Sequence, residues 1–325
     1  MSKAVAFAAA IAALVYSGFT SSALAADYPT KPITLMIGFA PGGPSDVMAR
    51  ILTKKMEEIL KQPFIIENRP GAAGGLAGSL VARAAPDGYT VLLGTGTILA
   101  INPSLYTNLG YDPVKDFEPI SLIGTQTHVL YTHPSVPAKT LAEFIAHAKA
   151  NPNKLSFGSG GIGTPAHLAG ELLKIKAGIQ ITHVPFRGTG PTLQSVLGGH
   201  VPTAFNPPSP LIPHLQAGTI RAIAITTPAR TEALPSVPTI AESGFPGFDA
   251  ATWHALVAPA GTPKAVIAAL HRAVASTVKD AATRKAMTDL GIDVVGGTPE
   301  ELRAYIRSEI PKWADVVKAS GATVN

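Results

Sequence analysis

Short β-rich runs alternate with helical stretches along most of this 325-residue chain, and no other feature constrains its fold as strongly. The first series has β-rich runs at residues 33–39, 64–67 and 89–94, separated by helical stretches at residues 44–61 and 71–85. Such alternation is typical of parallel sheets whose strands are joined by crossover helices. The sequence therefore predicts an α/β fold.

A second α/β series begins at Thr140, where a capping box that ends at Glu143 predicts a helix to about residue 151. A β-rich run at residues 120–131 precedes it and is predicted to be one long strand that passes between the two series. The remaining predicted strands are at residues 155–158, 181–186, 201–205, 220–226 and 253–258, with a short one near Asp293. The remaining predicted helices are at residues 165–176, 191–197 and 263–278, with a last one that a capping box opens at residues 298–301.

The length of the chain predicts two lobes. About 300 residues follow an N-terminal leader, which is more than one hydrophobic core usually serves. We predict a first lobe made of residues 27–127 plus 251–325 and a second lobe made of residues 128–250. A cleft between two lobes is a common place for a ligand.

The leader, residues 1–26, has the pattern of a secretory signal peptide. Lys3 is followed by an apolar run at residues 4–15 and by an A-x-A cleavage pattern at residues 23–25. The apolar run has about half of the ~20 residues that a bilayer-spanning helix needs, and no charged stop-transfer flank follows it, so a membrane anchor is the less favoured interpretation. We therefore expect cleavage close to Ala26 and export to the periplasm.

Charge and cysteine content exclude several classes of function. The formal net charge is +5, and it becomes +4 once Lys3 leaves with the leader. The basic residues are scattered and do not form a stripe, so nucleic-acid binding is not expected, whereas a mild positive charge favours anions. The chain has no cysteine, which excludes disulfides, thiol catalysis and cysteine-based zinc sites.

The most informative segment, here called the first glycine loop, is residues 41–46, which join a predicted strand to a predicted helix. Its paired glycines permit a positive φ and a close approach of a ligand. Pro44 suits the first helical turn, and Asp46 can accept a hydrogen bond from a free amide. Free N–H groups at such a helix start bind an anion without a cationic side chain, although a plain βα turn has the same pattern. The candidate ligand-binding residues of this loop are Pro41, Gly42, Gly43, Ser45 and Asp46.

The second glycine loop, residues 157–167, repeats this design in the second series. A strand leads into a glycine-rich turn, with Thr164 as the predicted N-cap and Pro165 at the first helical position. Two such loops, one in each lobe, would let the lobes grip an anion from both sides. The candidate ligand-binding residues of this loop are Ser159, Gly160, Gly163, Thr164 and His167.

The second glycine loop also matches an enzyme motif. Gly158, Gly160 and Gly163 fit G-x-G-x-x-G, the pattern of a dinucleotide site. The next predicted strand is followed by Arg187 and lacks the acidic residue that binds the ribose, so an NADP-dependent oxidoreductase is a less favoured alternative. G-x-S-x-G, H-E-x-x-H and P-loop motifs are absent from the sequence. We therefore expect no catalytic residue, no metal site and no cofactor.

Ordered motifs from residue 28 to the C-terminus resemble those of the Bug (Bordetella uptake gene) family, the extracytoplasmic solute receptors of tripartite tricarboxylate transporters. The motifs are YPxKPI at residues 28–33, PGGPSD at 41–46, ENRPGA at 67–72, PDGYT at 86–90, FGS at 157–159, VPFRG at 184–188, LGG at 197–199 and LPSVPT at 234–239. So many motifs in one order make the resemblance specific.

The resemblance implies a two-lobed, type II (Venus-flytrap) periplasmic binding-protein fold. A small carboxylate, such as a di- or tricarboxylate or an aromatic acid, would be held between the two glycine loops. The receptor would be a monomer, would not be an enzyme, and would deliver its ligand to the membrane permease subunits of the transporter. The alternative is a receptor that reports its ligand to a sensor kinase. A deletion that abolishes uptake would indicate transport, and one that abolishes only a transcriptional response would indicate sensing.

Main-chain amides are the predicted anion donors, because neither glycine loop contains Lys or Arg. The predicted donors are the N–H groups of Gly42, Gly43, Gly160 and Gly163 and the hydroxyls of Ser159 and Thr164. The family often has Asp at the end of the strand where this chain has Asn206. Asn206 is therefore a further candidate, and it favours a carboxylate without an amino group.

Overall fold

The computed structural model describes residues 28–322, which form two β-sheets with helices packed against them. The predicted signal peptide, residues 1–26, lies outside the described residues. Among the helices of residues 28–322, none combines the length and the apolar composition needed to cross a bilayer.

The helices and strands follow the predicted alternation. The strands are β1 (Ile33–Ile37), β2 (Phe64–Asn68), β3 (Thr90–Thr95), β4 (Phe117–Gln126), β5 (Val129–Thr132), β6 (Ser156–Ser159), β7 (Thr182–Pro185), β8 (Thr203–Asn206), β9 (Arg221–Ile225), β10 (Thr252–Pro259) and β11 (Ile292–Val294). The α-helices are α1 (Pro44–Leu60), α2 (Gly75–Ala82), α3 (Asn102–Leu105), α4 (Leu141–Ala150), α5 (Pro165–Ala177), α6 (Thr189–Leu197), α7 (Ile212–Gln216), α8 (Lys264–Thr277), α9 (Ala281–Asp289) and α10 (Pro299–Ser320). A 3₁₀ turn (Ala72–Gly74) precedes α2, and a π-helical turn (Thr97–Ile101) precedes α3.

The first sheet has six strands in the order β11-β4-β10-β3-β1-β2, and the second has five in the order β7-β6-β8-β5-β9. In the first sheet β1 is parallel to β2 and β3, whereas β10 is antiparallel to β3 and β4. In the second sheet β6 is parallel to β7 and β8, whereas β5 is antiparallel to β8 and β9. Both sheets are therefore mixed.

The same β-α-β-α-β arrangement occurs in both sheets, as β1-α1-β2-α2-β3 and as β6-α5-β7-α6-β8. In each unit the second strand pairs on one side of the first strand, and the third strand pairs on the other side. Open α/β sheets bind ligands outside the carboxyl ends of strands where the connections change side in this way. The loops after β1 and β6 occupy these equivalent positions, and they are the two glycine loops.

The predicted strand at residues 120–131 is wrong as a single element. β4 ends at Gln126 in the first sheet and β5 begins at Val129 in the second, so Thr127 and His128 carry the chain from one sheet to the other. This break contains no glycine or proline, which is why the apolar pattern predicted one strand. The division of the chain into lobes at residues 127/128 and 250/251 remains a proposal.

Alternating side chains give the first sheet two buried faces. Leu35 and Ile37 of β1 belong to the core cluster that contains Met48 and Leu52 of α1. Met36, between them in sequence, belongs to a second cluster that contains residues of α2. This period of two is the pattern of a strand that is covered on both sides.

The last helix, α10, packs against elements of both sheets. Trp313 and Val317 of α10 belong to the same core cluster as Leu168 of α5 and Leu92 of β3. α10 also packs against the π-helical turn and β4 of the first sheet. The C-terminal helix therefore joins the two halves of the molecule through apolar contacts.

The two predicted capping boxes have different outcomes. At α10, Thr298 Oγ1 accepts from the Glu301 N–H at 3.1 Å and Glu301 Oε2 accepts from the Thr298 N–H at 2.8 Å, so this box is confirmed. At α4 only half of the predicted box forms. Thr140 Oγ1 accepts from the Glu143 N–H at 3.2 Å, but Glu143 Oε2 accepts from the Lys139 N–H at 2.6 Å and not from the Thr140 N–H.

Candidate ligand-binding site

The first glycine loop owes its tight turn to one of its two glycines. Gly42 has φ +77°, in the left-handed region that favours glycine. Its N–H donates to Asp46 Oδ2 at 3.0 Å, so the predicted reach of Asp46 back to a free amide is confirmed. Gly43 is the N-cap of α1 and has φ −75°, a value open to any residue. The left-handed conformation therefore requires glycine at position 42, whereas at position 43 the only constraint is the Ala40 carbonyl oxygen, 3.3 Å from where a Cβ would lie.

Asp46 is buried and belongs to the framework of the loop. Arg50, one helical turn further on, donates to both carboxylate oxygens, from Nε to Oδ2 at 3.0 Å and from Nη2 to Oδ1 at 3.2 Å. These hydrogen bonds from Arg50 hold the pKa of Asp46 below its usual range. The carboxylate is therefore charged at neutral pH, and Arg50 balances that charge.

Ser45 lies in the first turn of α1 and contacts a histidine from a distant strand. Ser45 Oγ is 3.2 Å from Nε2 of His254, a buried residue of β10. Burial lowers the pKa of His254 to about 4, so its ring is neutral at pH 7. The N–H groups of Ser45 and Asp46 have no acceptor within α1, because they belong to its first turn. They lie at the positive end of the helix dipole, which favours an anion.

The second glycine loop is capped as predicted. Thr164 Oγ1 accepts from the His167 N–H at 3.3 Å and donates to the Gly161 carbonyl at 2.7 Å. Gly163 has φ +75°, and its N–H donates to His167 Nδ1 at 3.1 Å. A Cβ on Gly163 would lie 3.0 Å from Leu105 Cδ1 of α3. The second loop therefore packs at this glycine against a helix of the first sheet.

Two stacked histidines support the second loop. The ring centroids of His167 and His183 are 3.8 Å apart, and His183 Nε2 is 2.7 Å from Ser159 Oγ. Burial lowers the pKa of His167 to about 3 and that of His183 to about 4, so both rings are neutral at pH 7. The contact of 3.7 Å between His167 Nε2 and Glu171 Oε1 is therefore not an ion pair, and Glu171 pairs instead with Lys174 at 2.8 Å.

A third helix start lies beside the second glycine loop and was not predicted as part of the site. Gly188, the N-cap of α6, donates its N–H to the Gly160 carbonyl at 3.1 Å. The N–H groups of Thr189 and Gly190 are in the first turn of α6 and have no acceptor within that helix. The sequence contains a signal for this helix start, because Gly188 and Gly190 flank Thr189 directly before Pro191. The predicted helix nevertheless began at Pro191.

Asn206 contacts this third helix start. It is 1% exposed, and its Nδ2 donates to the Tyr131 hydroxyl at 2.9 Å and to the Thr189 carbonyl at 3.3 Å. The side-chain amide thus fixes the start of α6 to β5. Direct contact between Asn206 and a ligand stays a prediction.

Three of the predicted main-chain donors already have acceptors within or directly beside their own loops. They are the N–H groups of Gly42, Gly43 and Gly163, whose acceptors are Asp46, the Ala40 carbonyl and His167. The Gly160 N–H, the fourth predicted main-chain donor, has no acceptor among the described residues. The other donors that remain are the first-turn N–H groups of α1 and α6 and the Ala166 N–H of α5, because Pro165 has no N–H and the His167 N–H bonds to Thr164. Pro41 is exposed at the beginning of the first loop.

The two predicted side-chain donors are also used within the second loop. Ser159 Oγ donates to the Gly161 carbonyl at 3.2 Å, and Thr164 Oγ1 donates to the same oxygen. The Ser45 hydroxyl, by contrast, has one hydrogen-bond partner among the described residues, His254. Within residues 28–322 no hydrogen bond joins the first glycine loop to the second, so the two groups of donors are separate.

Known proteins match the chain over most of its length. A sequence model of the family described as "Tripartite tricarboxylate transporter family receptor" matches residues 48–322. Protein BugT of Bordetella pertussis is 36% identical over 307 residues, which are 94% of each chain. A Rhodopseudomonas palustris protein solved with adipate is 35% identical, with a TM-score of 0.77 over 91% of this chain and 100% of that one. MatC of the same organism, solved with bound malate, is 35% identical, with a TM-score of 0.73 over 89% of this chain and 100% of that one.

The solved periplasmic binding protein BugD is 34% identical, with a TM-score of 0.74 over 91% of this chain and 100% of that one. The two-sheet α/β fold is therefore that of a periplasmic binding protein, and the predicted fold class is confirmed. The chain belongs to the receptor family of the tripartite tricarboxylate transporters, as its Bug-type motifs predicted.

Proposed function

We propose that this protein captures a small carboxylate in the periplasm and delivers it, chemically unchanged, to the membrane permease subunits of a tripartite tricarboxylate transporter. The observation that carries the proposal is the equivalent placement of α1 and α5, which both begin at a glycine loop after the central strand of a β-α-β-α-β unit. Helix starts at such positions offer unpaired N–H groups to an anion.

The ligands of the solved relatives support this class of ligand. Adipate and malate each carry two carboxylates, and the relatives that bind them share the fold of this chain. The first-turn N–H groups of Ser45 and Asp46 would receive one carboxylate. The second glycine loop with the start of α6, which are joined where the Gly188 N–H bonds to the Gly160 carbonyl, would receive the other.

Binding without catalysis is supported by the two serine–histidine pairs. Such a pair becomes a nucleophile when a carboxylate orients the histidine. Among the described residues, the second ring nitrogen of His254 has no hydrogen-bond partner. In the other pair, His183 Nε2 contacts Ser159, which is fully buried, so the Ser159 hydroxyl is not open to a substrate.

The ligand is tested first with protein purified from its own periplasm. Native mass spectrometry should detect a co-purified small acid, and that acid should raise the unfolding temperature of ligand-free protein. At 100 times the dissociation constant, binding adds about 2.7 kcal/mol to the free energy of unfolding. The amide of the same acid is the matched control and should have no effect.

A panel of mono-, di- and tricarboxylates that leaves the unfolding temperature unchanged, with no acid co-purified, would show that the proposal is wrong. Delivery is tested separately, because deletion of the gene should abolish uptake of the identified acid. Normal uptake in the deletion strain would contradict the transport part of the proposal.

A further inference from the structure

We infer that His254 is a positioning residue, which donates its Nε2–H to Ser45 Oγ and so leaves the Ser45 hydroxyl hydrogen free for the ligand carboxylate. This inference rests on the proposed carboxylate-binding function. It adds to the first glycine loop a residue that is 209 positions away in the sequence.

The contact between Ser45 and His254 has two arrangements that differ in the direction of the proton. In one, His254 carries its proton on Nε2 and Ser45 Oγ accepts it. In the other, His254 carries its proton on Nδ1 and Ser45 donates its hydroxyl hydrogen to Nε2. Only the first arrangement leaves Ser45 as a donor to an anion.

The surroundings of His254 Nδ1 favour the first arrangement. His254 is 3% exposed, and its Nδ1 is buried with no hydrogen-bond partner among the described residues. A proton on Nδ1 would thus be a buried donor without an acceptor, which folded proteins very rarely contain. A bare Nδ1 leaves only an unsatisfied acceptor, which is more common among buried groups. The neutral ring should therefore carry its proton on Nε2.

Ser45 can use its hydrogen only outside this contact. His254 is the only hydrogen-bond partner of Ser45 Oγ among the described residues, and Ser45 keeps 8% of its surface exposed. The Ser45 N–H and the Asp46 N–H lie in the same helical turn and have no acceptor within α1. A carboxylate at this turn would meet three donors, one of them a hydroxyl whose direction His254 fixes.

The proton position is measured directly on ¹⁵N-histidine-labelled protein. Long-range ¹H–¹⁵N correlation spectra at pH 7 distinguish the two neutral tautomers, and the His254→Gln spectrum assigns the His254 signals among the nine histidines. We expect the proton on Nε2. A proton on Nδ1 would overturn the inference, whatever the protein binds.

Variants then test whether His254 acts through Ser45. Malate and adipate serve as probes in titration calorimetry. Ser45→Ala should weaken binding roughly 10- to 100-fold, the usual effect of losing a hydrogen bond to a charged group. His254→Leu should weaken it in the wild-type background and have little further effect in the Ser45→Ala background. His254→Gln, whose amide nitrogen replaces Nε2 as a donor, should restore affinity to within roughly threefold of wild type.

The outcomes separate this inference from the proposed function. Equal weakening by His254→Leu in both backgrounds would show that His254 does not act through Ser45 and would overturn the inference. If neither probe nor any other carboxylate binds the wild type, the proposed function fails, and the role of Ser45 as a ligand donor fails with it. In that case an Nε2 proton would still show that His254 donates to Ser45. If His254→Leu does not fold, the tautomer and the His254→Gln and Ser45→Ala affinities still decide the question.

Discussion

The Gly42 amide nitrogen lies 3.0 Å from Asp46 Oδ2, and this hydrogen bond closes the turn that begins α1. Because it uses the Gly42 N–H, the donors left for an anion are the N–H groups of Ser45 and Asp46. The bond also places a buried carboxylate beside the proposed anion site. Arg50 makes this arrangement compatible with anion binding, since it pairs with the same carboxylate at 3.0 Å.

Gly42→Ala should lower the free energy of unfolding by about 1–2 kcal/mol, because the left-handed conformation is unfavourable for a residue with a Cβ. Strain of the backbone is the only cause expected, since a Cβ at Gly42 would meet no atom within 4 Å. Gly43→Ala is the matched control and should cost less, since Gly43 has a negative φ and its Cβ would need only a small shift from the Ala40 oxygen, 3.3 Å away. Urea unfolding of both variants measures the difference. Equal losses would contradict the assignment of the turn to Gly42.

Arg50→Gln should weaken carboxylate binding several-fold, because it leaves the Asp46 charge unbalanced beside the anion site. Neutralising that charge as well, in Arg50→Gln/Asp46→Asn, should recover part of the lost affinity. Titration calorimetry at low ionic strength gives the largest difference. A double variant that binds more weakly than Arg50→Gln alone would argue against this electrostatic explanation.

Thr164→Val should cost about 1 kcal/mol of stability, since it removes the N-cap of α5, and it should also weaken ligand binding. The second effect follows because Thr164 also bonds to Gly161 and so shapes the second glycine loop. Thr140→Val removes the N-cap of α4, outside both glycine loops, and is the matched control. It should have a similar cost in stability and leave the dissociation constant unchanged. If Thr164→Val binds the ligand with wild-type affinity, the N-cap of α5 does not contribute to the binding site.

Stability should fall as the pH is lowered from about 6.5 to about 4. Burial lowers the pKa values of the buried His128 and His254 and of the half-buried His183 from 6.5 to about 4, and it lowers that of His167 to about 3. Below pH 6.5 the unfolded chain takes up protons that the folded protein does not, so the stability present above pH 6.5 is lost through this window.

Melting temperatures across this pH range test the prediction. His167→Asn should reduce the slope of melting temperature against pH. The asparagine side-chain oxygen can still accept from the Gly163 N–H, but the side chain takes up no proton in this pH range. A slope identical to that of the wild type would contradict the account of His167.

Local patterns predicted the first glycine loop well and its long-range contacts not at all. The turn at Gly42, the cap by Asp46 and the proline that begins α1 are encoded within six residues, so the sequence alone was sufficient. The contact between Ser45 and His254 depends on the sheet order that places β10 two strands from β1, and no periodicity encodes that order. The start of α6 was missed for a similar reason, since its place beside Gly160 follows from the pairing of β7 with β6.

The most direct test of the proposed site is a crystal structure with the carboxylate that native mass spectrometry identifies. We expect one carboxylate oxygen at about 2.7–3.2 Å from the main-chain nitrogen of Ser45 or Asp46, with the Ser45 hydroxyl as a further donor. A second acidic group should contact the starts of α5 and α6. A carboxylate held instead by the side chain of a Lys or Arg, with no contact to the first turn of α1, would contradict it.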